Sequence, residues 1–161
     1  MSFSPTKLIF PLRRTRLREE TERKLRDALG IDFGETFYPV VKARFKRADG
    51  AWGEKLFTLI FDTGASMTLL PTEMTEYLGE DTTVEHEVSG VVPKPKCKLP
   101  VKIRRISARL EDDEGHVSPE LKIWAGISDI VGAPFLLGMK DILDRAEVTI
   151  SPVKKELQLA I

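Results

Sequence analysis

Leu59-Ile60-Phe61-Asp62-Thr63-Gly64-Ala65-Ser66 carries an apolar run straight into a carboxylate and then into a tight turn. An ionised group at the end of a buried strand is costly without a partner or a task, so Asp62 requires one or the other. Thr63-Gly64 supplies the turn: glycine lets the backbone bend sharply and approach the carboxylate, so that an amide can hold the Asp oxygen. Beyond Ser66 the chain turns apolar again at residues 67–70, which places the acid between two strand candidates. No second Asp-Thr-Gly or Asp-Ser-Gly occurs in the 161 residues. If chemistry at Asp62 needs another carboxylate beside it, a second copy of the chain has to bring it.

Working outward, residues 38–46 and 55–61 read as two strands around an Asp49-Gly50 turn, with a loop over 47–54 that carries Trp52. Residues 73–78 read as a short helix, with Thr72 as its N-cap and Gly79 as its stop. Further strands are predicted over 84–92, 101–110, 121–127, 148–150 and 156–159. The alternation in 101–110 breaks at Arg104-Arg105, which predicts a bulge or a strand that changes its buried face. Residues 141–145 read as a second short helix. Many short strands and few helices predict an all-β barrel or sandwich. Residues 12–29 differ: Leu12, Leu17, Leu25 and Leu29 form a thin apolar stripe between interleaved acids and bases, and Gly30 follows. This predicts an amphipathic charged helix in an N-terminal extension over 1–36, ahead of a main domain over 37–161. Trp52 and Trp124 are expected in the core or in the wall of a cleft.

Composition narrows the function classes. The chain is 42% hydrophobic and 31% charged, with 25 basic and 25 acidic side chains, so no global field favours nucleic acid or a membrane surface. Arg13 to Arg26 alternate with acids, the pattern of a solvated helix face rather than a polyanion site. Leu8-Ile9-Phe10 ends at Pro11 with its charges after it, the wrong order for a signal peptide. Cys97 is the only cysteine, so no intrachain disulfide forms, and the expected setting is cytoplasmic. His86 and His116 lack companions at metal-ligand spacing and are expected at the surface; no metal and no cofactor is expected. Cys97 has no adjacent base and is expected to be an inert thiol.

The stretch 59–66 resembles the active-site loop of the retropepsin-like aspartic proteases. Phe135-Leu136-Leu137-Gly138, followed by Asp141-Ile142-Leu143, is similar to the family's apolar-apolar-Gly segment and the short helix after it. Val88-Ser89-Gly90-Val91 falls where the family places its flap, and residues 156–159 fall where it places a closing or dimer-sheet strand. The resemblance covers roughly residues 38–161. It implies a retropepsin-like closed barrel and a homodimer acting on a protein or peptide. Asp62 would be the catalytic carboxylate of each chain, and Thr63 would brace the loop across the two-fold axis. Gly64, Ala65 and Ser66 would support the loop, Val88 to Val91 would cover substrate, and Leu136, Leu137 and Gly138 would form the wall behind it.

The chemistry implied is peptide-bond hydrolysis by water held between two carboxylates that share one proton. Where some members carry an acid paired with a later Arg, this chain has Ser66 and Met139, so both halves of that brace are absent together. Bilobal relatives place a hydroxyl at the position of Ala65, where it favours the ionised acid. Ala65 offers no donor, so activity is expected from mildly acidic to near-neutral pH. The alternative reading from another class is a non-proteolytic dimerisation or peptide-binding module on the same fold.

Overall fold

The computed structural model describes residues 4–16, 18–30, 32, 34–78, 84–89, 98–142 and 145–161. In chain order these form β1 (Lys7–Arg16), α1 (Glu19–Leu29), β2 (Glu35–Phe45), β3 (Phe57–Phe61), β4 (Thr68–Leu70), α2 (Met74–Leu78), β5 (Val84–Ser89), β6 (Lys98–Leu110), β7 (Leu121–Ser128), β8 (Leu136–Leu137), β9 (Glu147–Ser151) and β10 (Glu156–Ala160). The all-β expectation holds, in one sheet of order β5-β6-β7-β4-β8-β3-β2-β1-β10-β9. A further β6–β2 pairing, Ala43↔Leu110 to Phe45↔Ala108, closes β2, β3, β8, β4, β7 and β6 into a ring. The whole is not a clean barrel, because β5 on one side and β1, β10 and β9 on the other extend beyond that ring.

Alternation explains the ring. In β3, Phe57, Leu59 and Phe61 point inward while Thr58 and Ile60 point outward, the period-2 pattern of a strand with one covered face. Phe45, Phe61, Leu70, Leu110, Ile123 and Leu137 are almost completely buried in one cluster, each worth about 1.5–3 kcal/mol of apolar transfer. A second, smaller cluster of Leu69, Leu99 and Val101, flanked by Val88, Ile103 and Leu136, lies apart from it. These two clusters account for the broken alternation in β6. Leu99 and Val101 face the small cluster, whereas Arg104, Ile106, Ala108 and Leu110 are buried from the opposite face. Pairing with β7 keeps one unbroken register from Val101↔Ser128 to Ala108↔Leu121, so the strand changes its covered face without a bulge.

The N-terminal segment differs from the helical expectation. Residues 7–16 are a strand, and the helix begins only at Glu19. Lys7 to Pro11 pair with β10 and Leu12 to Arg16 with β2, so the segment 1–36 contributes a strand to the sheet as well as a helix. Pro11, which has no N–H to offer, marks the changeover. Two neighbouring strands supply hydrogen-bond partners that no local charge pattern reveals, and they override the weak helical stripe. In α1 itself Glu19, Glu20 and Glu22 complement the N-terminal dipole, and Gly30 closes it at φ 66° with its N–H on the Arg26 carbonyl at 2.8 Å.

Both tryptophans depart from expectation. Trp124 is 40% exposed beneath the Arg105 guanidinium, and Trp52 is half-buried with Arg109 at 4.6 Å and Lys46 at 5.2 Å from its ring. They pack under cations on the outside of the sheet rather than in the core. The helix expected at 141–145 is a turn at Asp141 and Ile142: Asp141 takes φ 68°, a left-handed conformation incompatible with helix, and its carboxylate accepts the Trp124 N–H at 2.9 Å. Residues 143 and 144 lie outside the described residues, as do Gly79 and residues 90–97, which include Cys97.

Candidate functional site

The Asp62 loop is built where β8 threads between β3 and β4. Ile60↔Leu136 and Phe61↔Leu137 pair in parallel, while Leu69↔Leu136 pairs antiparallel from the other side. The Ile60 N–H donates to the Phe135 carbonyl at 2.9 Å and the Asp62 N–H to the Leu137 carbonyl at 3.0 Å, so the backbone of Asp62 is fixed by β8. The loop between is tied at its far side as well: the Met139 N–H donates to the Ala65 carbonyl at 2.9 Å and the Lys140 N–H to the Ser66 carbonyl at 3.0 Å. These two bonds, with Met139 packed on the main core, brace the loop where the acid–Arg pair is missing.

The side chain of Asp62 is held by the turn that the sequence marks. The Gly64 N–H donates to Asp62 Oδ1 at 2.9 Å, and the Ala65 N–H donates to the Asp62 carbonyl at 3.2 Å. Gly138 explains how strand and loop approach so closely. A Cβ there would sit 2.7 Å from the Thr68 nitrogen and closer still to the Met67 carbonyl. The Gly138 N–H donates to Thr68 Oγ1 at 3.2 Å, a bond buried in the wall. Glycine at 138 is therefore a packing requirement, consistent with its φ not lying in the left-handed region.

Asp62 opens onto a cleft of about 670 Å³. Ile60, Gly64, Ala65, Ser66 and Leu136 line it, and Val88 reaches it from β5. Leu137 instead points into the main core, and Thr63 sits at the exposed tip of the turn. Ser89 ends β5 opposite Lys98, while Gly90 and Val91 lie outside the described residues. Six lining residues escape a reading of motifs: Met67, Thr68, Leu69, His86, Glu87 and Pro134. Thr68 carries a signal in retrospect, being the polar residue inside an apolar run. His86 is exposed, as expected, but its position on β5 sets it at the cleft. Glu87 joins the same rim and pairs with Lys98 at 2.8 Å, which holds the Lys98 ammonium above its usual range.

The lining mixes apolar side chains (Ile60, Met67, Leu69, Val88, Leu136) with polar ones (Asp62, Ser66, Thr68, His86, Glu87), a composition suited to an extended chain whose side chains alternate in character. Among the described residues no group of three or more His, Cys, Asp or Glu side chains is gathered for a metal, and no helix is long and apolar enough to cross a membrane. The chain matches no protein-family model, and no curated protein matches it either.

Proposed function

We propose that the chain is a homodimeric aspartic endopeptidase of the retropepsin-like kind, with one Asp62 from each copy forming the catalytic pair. The observation that carries this reading is the carboxylate itself: held by the Gly64 N–H at 2.9 Å, fixed through its backbone to β8, and open to a cleft. A purely structural aspartate at a turn has no need of a cleft in front of it or of a second strand threaded behind it.

In this mechanism the two Asp62 carboxylates share a proton and hold a water between them. The ionised one takes a proton from the water as it attacks the carbonyl, and the protonated one donates to the developing oxyanion. That proton then passes to the leaving amine. The Gly64 amide keeps the carboxylate oriented without carrying charge to the reaction. Substrate lies extended along the cleft between the Asp62 loop and β5, its apolar side chains against Ile60, Leu136 and Val88. The setting expected for this activity is cytoplasmic, and no cofactor takes part.

The test is cleavage of a peptide library between about pH 3.5 and 7.5, a range around and above the intrinsic Asp value, by wild type and Asp62→Asn. Cleavage by wild type and its loss in the variant supports the peptidase. Absence of cleavage from a confirmed wild-type dimer moves the reading to a peptide-binding module.

A further inference from the structure

The strand registers carry Asp62 across the sheet in a line. Ile60↔Leu136 is a parallel pair, Leu136↔Leu69 antiparallel, Leu69↔Gly126 parallel and Gly126↔Ile103 antiparallel, so these residues form one row over β3, β8, β4, β7 and β6. Two positions nearer the turn, the same registers give the row Asp62, Gly138, Met67, Trp124 and Arg105. Gly138 fits its place in this row, since a Cβ there would strike the Met67 backbone. The Asp141 carboxylate, just beyond Gly138, fixes the far side by accepting the Trp124 backbone N–H at 2.9 Å.

The end of this row lies outside the cleft lining and is built from different side chains. Met67 lines the cleft, and its Cε lies 3.4 Å from where a Cβ of Gly126 would stand, so its side chain reaches from the cleft to β7. Beside it stands the exposed Trp124, with the Arg105 guanidinium 5.8 Å from the centre of its ring. Lys42, Arg44 and Lys46, the cations of β2 on this outer face, are each matched by an acid: Asp113, Glu111 and Glu120. Arg105 is exposed and forms no ion pair among the described residues. A guanidinium laid on an aromatic ring is held in place by its face, while the donors at its edge stay open to a carboxylate.

We propose that Arg105 and Trp124 form a binding platform for an acidic side chain of the peptide that occupies the cleft. This rests on the peptidase reading of the Asp62 site and names the class of substrate it takes. Neighbouring strands lie about 4.8 Å apart, so the three steps from β3 to β7 span about 14 Å, which extended peptide covers in about four residues. An Asp or Glu about four residues from the scissile bond therefore brings its carboxylate to the Arg105 guanidinium. Two copies of the chain present the platform twice, so the acid is recognised on either side of the bond.

The experiment profiles the bonds cleaved in a peptide library, then compares one cleaved peptide carrying Glu at the platform position with its Gln counterpart. Wild type is expected to enrich Asp and Glu there and to show a KM about five-fold lower for the Glu peptide, the upper range for an exposed ion pair. That ratio is expected to approach one in about 1 M salt, where charges are screened within about 3 Å. Arg105→Gln is expected to abolish the discrimination, and Arg105→Glu to invert it toward a Lys peptide. Equal KM values in wild type, a preference that survives Arg105→Gln, or enrichment of aromatic residues in place of acids overturns the platform. The peptidase reading survives each of these if Asp62→Asn still abolishes cleavage. If wild type cleaves nothing, the peptidase reading is overturned, and binding of Glu-containing and Gln-containing peptide pools decides the platform. Arg105-dependent retention of the Glu pool then supports it, and equal retention overturns it.

Discussion

Replacing Gly138 by alanine tests the scaffold behind Asp62 with a single methyl group. The new Cβ falls 2.7 Å from the Thr68 nitrogen and nearer to the Met67 carbonyl, all of it backbone that no rotamer change can move aside. Carbon atoms rest at about 3.5–4.0 Å, so β8 and the loop must separate by about 1 Å. That separation strains the buried Gly138–Thr68 hydrogen bond at 3.2 Å and the Leu137–Asp62 bond at 3.0 Å. Overpacking of this kind costs about 1–3 kcal/mol, and the weakened buried bond adds about 1 kcal/mol. The expected loss in urea unfolding is therefore about 2–4 kcal/mol. A displacement of about 1 Å at a catalytic group costs on the order of 100-fold in rate, so kcat on a cleaved peptide falls by that order at temperatures where the variant is still folded. Gly138→Ala that unfolds within about 0.5 kcal/mol of wild type, the range of ordinary surface substitutions, and retains full activity would refute the reasoning.

Two other perturbations probe the frame that carries the site. The Asp112 side chain is fully buried and accepts from the N–H groups of Ile9, Glu114 and His116 and meets His116 Nδ1 at 2.9 Å, so Asp112→Ala strands the Ile9 donor of β1 and two amides of its own turn and is expected to cost about 3 kcal/mol in chemical unfolding at neutral pH. Burial pushes the Asp112 carboxyl up, but the His116 ring and the three amides outweigh it and hold it below its ordinary value; the stabilisation is thus complete above the unfolded value near pH 3.8 and lost as pH falls through the lower folded one, and the wild-type advantage should shrink there. The nearly buried Glu22 ties α1 to β1 through Arg16 at 3.2 Å. Glu22→Ala is expected to lower amide-exchange protection in α1 about ten-fold while the sheet keeps its own, which sets the helix apart as a local unit; equal loss in both would contradict that.

The Asp62 turn was legible because its causes are local: an apolar run, a short polar residue and a glycine that lets an amide reach the carboxylate. Gly138 was legible as part of Leu136-Leu137-Gly138, although its reason, contact with Met67 and Thr68 some seventy positions away in sequence, is visible only in three dimensions. β1 was hidden because Leu12 falls at helical spacing from later leucines, whereas its strand conformation depends on β10 and β2 on either side. The broken alternation of β6 could be read as a change of face, but its origin in two separate apolar clusters could not. The tryptophans misled because an aromatic residue beside arginine is as well satisfied on a sheet surface as in a core. Which strand ends the sheet is a matter of topology: residues 156–159, read as a closing or dimer-sheet strand, lie inside it as β10, and β9 is last.

The central claim, that the active site belongs to two chains, is tested most directly by mixing wild type with Asp62→Asn at constant total concentration and following cleavage of a single peptide. If each site takes one Asp62 from each copy, mixed dimers are inactive, and an equal mixture that has exchanged to equilibrium retains about a quarter of the wild-type rate. A linear fall, to about half at equal mixture, would mean that one chain suffices.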